Sequence, residues 1–153
     1  MADESDILLH MIQEQWAQAR QSENQRSTIS NFTIVIALAA FGFLAKTTPG
    51  RKAIPLTIFL TVLGVFGALI CAKFYERFYL HIQRVGRMME RLDQLHPEAQ
   101  LCRLEQRADD MHNQRFPLTI HLRLHHLWMT IHIAIALIGA ICTILVIVRG
   151  RLL

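Results

Sequence analysis

One stripe of polar, aromatic and small residues near the C-terminus contains the side chains best suited to chemistry. Its members recur at intervals of three or four, the spacing that places residues on one face of an α-helix. Apolar residues such as Ile133, Leu137 and Ile141 fall away from that face. Because lipid is a poor environment for imidazole, we expect the stripe to face protein or a water-filled space. The stripe consists of His121, His125, Trp128, His132, Ala136, Gly139 and Thr143.

Three uses of this stripe are open from the sequence. His121 and His125 lie four residues apart, which suits joint zinc ligation, but no third ligand can be placed. We therefore predict neither a metal nor a cofactor. The stripe could instead line a pore or a proton path, since histidine titrates near neutral pH. Alternatively, its small residues allow close helix packing while its histidines hydrogen-bond across the interface.

A second polar set precedes the first apolar run of the chain. Arg20, Glu23, Asn24, Ser27 and Asn31 fall largely on one side of a helix, with Glu23 near both Arg20 and Arg26. They fit an ordered network at the mouth of a pore. They fit equally a contact with lipid headgroups, in which the arginines extend toward phosphates.

The sequence gives no argument for an enzyme. Arg107 and His112 match an Arg-x4-His spacing found in some helical ribonucleases, but the pair lies on a short helix with no second supporting element. The chain has no nucleophile elbow, phosphate-binding loop or Cys-rich metal signature. We predict that it is not an enzyme.

Three long apolar runs must position these residues in a chain of only 153 residues. Phe32–Ala45 is the shortest, whereas Ala53–Ala72 and Leu127–Val148 have about the 20 residues that a helix needs to cross a bilayer. A soluble domain this small could not bury three such runs. We predict an all-α integral membrane protein, with transmembrane helices at 31–46, 53–73 and 127–148.

The basic residues predict the orientation of these spans. Eleven of sixteen lie before the first span or between the second and third, and five lie on the other side. The positive-inside rule then places the N-terminus and residues 74–126 in the cytoplasm and the C-terminus outside. All twelve acidic residues share the cytoplasmic side. The net charge of +4 therefore reflects membrane topology, and we predict no nucleic-acid partner.

The cytoplasmic segments are predicted to be helices that form a collar. Residues 1–30 form an amphipathic helix with Leu9, Ile12, Trp16 and Ala19 on its apolar face. It runs into the first span, and residues 47–52 form a tight turn to the second. The second helix continues past the membrane with a heptad seam and ends before Pro97. The seam, a candidate for oligomer contacts, consists of Tyr75, Phe78, Ile82, Val85, Met89 and Leu92.

Two further helices complete the prediction. A short helix covers residues 98–113, with an apolar stripe of Leu101, Leu104, Ala108 and Met111. The last helix begins near Leu118 and runs through the membrane. Gly64 and Gly67 indicate close helix packing in the second span.

The layout of roughly the first ninety residues resembles a known group of proteins. A polar helix leads into a span, a hairpin turn follows, and the second helix continues into the cytoplasm; the polar helix includes Trp16-Ala17-Gln18-Ala19-Arg20-Gln21-Ser22-Glu23-Asn24-Gln25-Arg26. This layout is similar to that of small transmembrane effectors of bacterial defence operons, the SLATT-type proteins among them. The resemblance implies oligomers that permeabilise the inner membrane in antiphage defence. The third span departs from their two-span pattern.

Two functions follow from this organisation. The first is a homo-oligomeric inner-membrane effector or channel, in which the seam and the N-terminal helix assemble the collar and the stripe lines or packs the pore. The alternative is a non-conducting scaffold that anchors a cytosolic partner through its collar. The predicted partners are copies of the same chain, membrane lipids, and a cytosolic protein or trigger.

Overall fold

The chain folds into four α-helices with short connections, in a computed structural model that describes residues 3–46 and 50–152. Three of the helices, α1, α2 and α4, are long and apolar enough to cross a membrane. The predicted all-helical class with three membrane-length helices is therefore confirmed. Short 3-10 turns lie at Arg51–Ala53, Pro97–Ala99 and Thr119–His121. The helices are α1 (Glu4–Lys46), α2 (Ile54–Leu95), α3 (Leu101–Arg115) and α4 (Leu124–Leu152).

Helices α1 and α2 are longer than a bilayer requires. They have 43 and 42 residues, or about 60 Å each, against about 30 Å of hydrocarbon. The predicted continuity of both helices is confirmed, because neither breaks at the end of its apolar run. Helix α2 ends at Leu95, two residues before Pro97, as predicted. Of the predicted turn before α2, Thr47, Thr48 and Pro49 lie outside the described residues.

The chain divides into two compact units. The apolar unit comprises Gln25–Lys73 and Leu124–Leu153, and the polar unit comprises Met1–Asn24 and Phe74–Arg123. Every acidic residue of the sequence falls in the polar unit. The apolar unit therefore carries only basic charges, most of them near the ends of its helices.

The apolar unit has most of its large apolar side chains outside, and its interior combines small and polar side chains with a few large apolar ones. Its core combines Ala37 and Ala40 of α1, Leu60 of α2 and Ile135 of α4. Phe32, by contrast, is 65% exposed. A surface of this kind is unfavourable in water and suits lipid. Other outward apolar side chains are Val35, Leu38, Val62, Phe66, Leu69, Leu137 and Ile144.

Glycines set the distance between α2 and α4. A methyl group on Gly64 would lie 2.7 Å from Ala136 Cα, and one on Gly139 would lie 2.6 Å from the Thr61 nitrogen. Both distances are shorter than van der Waals contact, so only a glycine fits without moving the backbone. The predicted small-residue packing of the second span is confirmed at Gly64. Close backbone approach of this kind is a main source of attraction between helices in lipid.

In the polar unit, the N-terminal part of α1 packs on the C-terminal part of α2. Ile12 forms a buried cluster with Val85 and Leu92. Gln15 accepts a hydrogen bond of 2.7 Å from His81 Nδ1 at the same interface. Much of the predicted seam thus has an apolar partner within the chain.

The buried faces differ in detail from the predicted ones. Leu9 and Trp16 are exposed, contrary to prediction, because the buried face of α1 turns toward Gln15 and Ala19. On α2 the buried His81 was not part of the predicted seam. Tyr75, Phe78, Ile82 and Met89 are half-buried. Their role in an oligomer stays a prediction.

Helix α3 contacts α2 mainly through its first residue, Leu101. The backbone N–H of Leu101 donates to the Asp93 carboxylate, which supplies an acceptor that the helix start lacks. No residue of α3 is buried. Of its predicted apolar stripe, Leu104 and Met111 are exposed, whereas Leu101 packs near the Val85 cluster.

The last helix begins at Leu124, later than the predicted start near Leu118. Apolar residues from Phe116 to Leu124 recur at every second position, a period that gives a helix no apolar face. Leu122 adopts an extended conformation, with φ −85° and ψ 90°. The predicted start was therefore wrong by six residues.

Replacing Gly64 by alanine should weaken the packing of α2 on α4. We expect Gly64→Ala to lower the free energy of unfolding in detergent micelles by about 1–3 kcal/mol, the usual cost of overpacking. Gly42→Ala is the matched control, because nothing lies within 4 Å of a methyl group there. Thermal unfolding followed by circular dichroism measures both. Equal stability of the two variants would contradict the close approach.

Cys102 at the start of α3 should react slowly with alkylating reagents. Desolvation raises the pKa of its thiol above the ordinary value, and the Asp93 carboxylate beside it raises that pKa further. Since the thiolate is the reactive species, Asp93→Asn should lower the pKa and speed alkylation while keeping an acceptor for Leu101. The rate is measured against pH after Cys71 and Cys142 are replaced by alanine. Glu98→Gln, as control, should leave the profile unchanged.

Candidate functional site

His132 of α4 is the centre of the buried polar residues in the apolar unit. Its side chain is 0% exposed. The Nε2 atom lies 3.0 Å from the Ser30 hydroxyl of α1. The ring also lies against Gly67 of α2, where an added methyl group would stand 2.8 Å from Cε1. One imidazole thus contacts all three apolar helices.

The other ring nitrogen of His132 points into this close contact. Nδ1 is buried and has no hydrogen-bond partner among the described residues. A buried polar atom without a partner costs about 1–3 kcal/mol. The Ser30 hydroxyl can donate or accept, so its bond to Nε2 forms with either tautomer of the neutral ring.

A second polar group joins α2 and α4 at Gly139. The Thr143 hydroxyl lies 2.9 Å from the Thr57 hydroxyl and 2.9 Å from the Gly139 carbonyl oxygen. Thr57 in turn donates to the Ile54 carbonyl oxygen over 3.0 Å. These bonds satisfy two hydroxyl groups without water, and the side chain of Thr57 is fully buried.

Helix α1 contributes a buried charge and a buried hydroxyl to the same unit. Arg26 is only 5% exposed, and Thr33 donates to the carbonyl oxygen of Ile29 over 2.9 Å. Burying a charged group is costly unless it is paired, so a buried arginine commonly has a specific role. Arg26 is therefore a functional candidate together with His132.

The predicted stripe of α4 separates into two parts. His132, Gly139 and Thr143 contact α1 or α2, which favours the interhelical interpretation over pore lining within a single chain. His125 and Trp128 are only half-buried. The ring of His125 lies 4.0 Å from that of His126.

The predicted pairing of His121 with His125 on one helix was wrong. His121 is exposed and lies in the turn Thr119–His121, outside α4, because the helix begins only at Leu124. The spacing of four residues therefore does not place the two rings on one helical face. Within the described part of the chain, no three His, Cys, Asp or Glu side chains are grouped so that they could hold a metal ion.

The predicted pore-mouth set occupies several faces of α1. Arg20 and Asn31 are exposed, Glu23 is half-buried and Arg26 is buried. Arg26 faces inward because it lies on the buried face of α1, where buried residues recur every three or four positions. The sequence analysis missed this face. A 3-4 spacing that continued through Ser22, Arg26, Ser30, Thr33 and Ala37 was the available signal.

Comparison of the chain with protein-family models, with curated proteins and with solved structures gave no match. The geometry of the chain itself is therefore the basis for inferring its function. Its most informative elements are the buried His132 contact and the polar residues left outside the core.

A double-mutant cycle on His132 and Ser30 should reveal their hydrogen bond. We expect His132→Leu and Ser30→Ala to couple by about 0.6 kcal/mol and by no more than about 1.7 kcal/mol, the range for bonds between membrane helices. Unfolding in mixed micelles measures the four stabilities. The control cycle pairs Ser30→Ala with Thr143→Val, whose hydroxyl bonds elsewhere, and should show no coupling. Coupling of equal size in both cycles would contradict a direct bond.

Proposed function

We propose that this chain is a homo-oligomeric inner-membrane protein that conducts or permeabilises between its copies, with its N-terminus in the cytoplasm. The observation that carries the proposal is a group of exposed polar residues where the polar first part of α1 meets its apolar run. Asn31 and Thr28 of α1 are exposed, directly beside the lipid-type surface of Phe32. Asn24 continues this face one turn earlier.

Self-association provides the simplest partner for such a face. A polar side chain on a membrane helix gains from a bond across a helix interface or from contact with water. Identical copies normally close into a ring, which brings the same face of every α1 together. Conduction would then follow the α1 face and not the α4 stripe, because His132 is closed off by Ser30 and Gly67.

The remaining features fit this assignment. All charged residues of the apolar unit are basic, which agrees with contact to anionic lipid headgroups at its ends. The resemblance in layout to SLATT-type effectors makes antiphage defence the context we propose.

The second candidate is a non-conducting scaffold, and the exposed α3 favours it. Met111 is 71% exposed on a helix of fifteen residues that has no buried residue. Such a helix can dock an apolar partner from the cytoplasm. Crosslinking from position 111 in cells to one cytosolic protein, abolished by Leu104→Glu, would favour the scaffold.

Membrane potential in bacteria after induced expression tests the channel. We expect the unaltered chain to depolarise the membrane and Asn31→Leu to remove most of that effect, because leucine withdraws the polar face from the path. The control Phe32→Leu changes a neighbouring lipid-type side chain and should retain depolarisation. All variants are compared at equal level, with oligomer size checked by native mass spectrometry.

The same experiment separates the alternatives. Loss of depolarisation in His132→Leu but not in Asn31→Leu would indicate that conduction follows the α4 stripe and not the α1 face. An intact oligomer that does not depolarise would contradict the channel and leave the scaffold.

A further inference from the structure

Residues 115–124, from the last residue of α3 to the first residue of α4, have an unusual pattern of exposed side chains. Large apolar residues occupy every second position, and those within the segment are all exposed. Leu118 is 84% exposed. Such a row of exposed apolar side chains is unfavourable in water and is expected to contact lipid or protein. The apolar positions are Phe116, Leu118, Ile120, Leu122 and Leu124.

The charges of this segment are of one sign. Arg115 and Arg123 alternate with the apolar residues, and the last acidic residue of the chain is Asp110. The Arg115 guanidinium lies 5.9 Å from the centre of the Phe116 ring, so an apolar and a basic group are presented together. Anionic headgroups above acyl chains complement this combination.

The backbone determines the depth at which the segment can lie. Between the two helices the backbone turns at residues 117–121, where the Ile120 N–H donates to the Phe116 carbonyl oxygen over 3.2 Å, and then extends at Leu122. Non-helical backbone exposed to lipid is not stable within hydrocarbon, because its polar groups lack partners. The segment cannot be far from the bilayer either, since Arg123 is bonded directly to the first residue of α4, a helix of membrane-spanning length and composition.

We propose that residues 115–124 are a lipid-binding anchor at the membrane surface. Phe116, Leu118, Ile120 and Leu122 insert into the headgroup and upper acyl region of one leaflet. Arg115 and Arg123 bind the phosphates of anionic phospholipids. This surface is independent of the proposed pore, and it fixes the depth and tilt of α4 through their direct connection.

A spin label on the full-length chain measures the depth. Leu118→Cys and Met111→Cys are made after the three native cysteines are replaced by alanine, and each protein is reconstituted in vesicles of phosphatidylcholine and phosphatidylglycerol. Both positions are highly exposed and lie only seven residues apart. We expect the label at 118 to collide with oxygen and to be shielded from a water-soluble nickel complex. The label at 111 should show the reverse.

Removal of charge tests the headgroup contact. Phosphatidylglycerol is titrated onto the detergent-solubilised chain and its binding is followed by native mass spectrometry. We expect Arg115→Gln and Arg123→Gln each to weaken binding about fivefold. Arg103→Gln and Arg107→Gln, on exposed α3, are matched controls that should leave it unchanged.

Three results would overturn the proposal. One is equal access of the nickel complex to labels 118 and 111. Another is shielding of label 118 from both oxygen and nickel, which would indicate cover by a protein or by a second copy. The third is equal loss of phosphatidylglycerol binding in the control variants. Because none of these readouts depends on conduction, failure of the proposed channel would leave this test unaffected.

Discussion

The close approach of α2 and α4 is the constraint on which the apolar unit depends. Gly64 and Gly139 bring the two backbones together, and Gly67 leaves room for an imidazole where any other residue would place a side chain. His132 can therefore lie inside the bundle and reach Ser30 on α1. Without these glycines a histidine in this span would have to face lipid, where its polar atoms have no partners. The packing of small residues and the burial of polar ones are thus a single arrangement.

This arrangement changes how the polar residues of the chain should be interpreted. Those that face inward, such as Thr57 and Thr143, satisfy one another and give the helices a fixed register. Those that face outward, such as Asn31, have no such role within the chain and are available for assembly. The buried polar groups therefore stabilise the bundle, whereas the exposed ones carry the association and conduction that we propose.

The polar unit is held together by the burial of apolar surface from water. Val85 and Leu92 bury apolar surface against Ile12 because water, unlike lipid, drives such burial. Part of the seam on α2, at Val85, Met89 and Leu92, is therefore used within one chain. Exposed apolar side chains remain on α3 and on residues 115–124, and also on α1 and α2, for example at Leu9, Trp16 and Leu80. Partner or membrane contacts of this unit are expected there.

The sequence by itself determined the helices, because hydrophobic runs, prolines and spacing are local properties. It predicted α1 and α2 as continuous helices and the end of α2 before Pro97. It also predicted close packing at Gly64. It could not determine which residues face one another, since periodicity defines a face but not its partner. Only the tertiary structure placed His132 against Ser30 and Gly67, turned Arg26 inward and left Asn31 outside. Which residues face inward depends on how closely helices that are distant in sequence can approach one another. Steric contact at the glycines sets that distance.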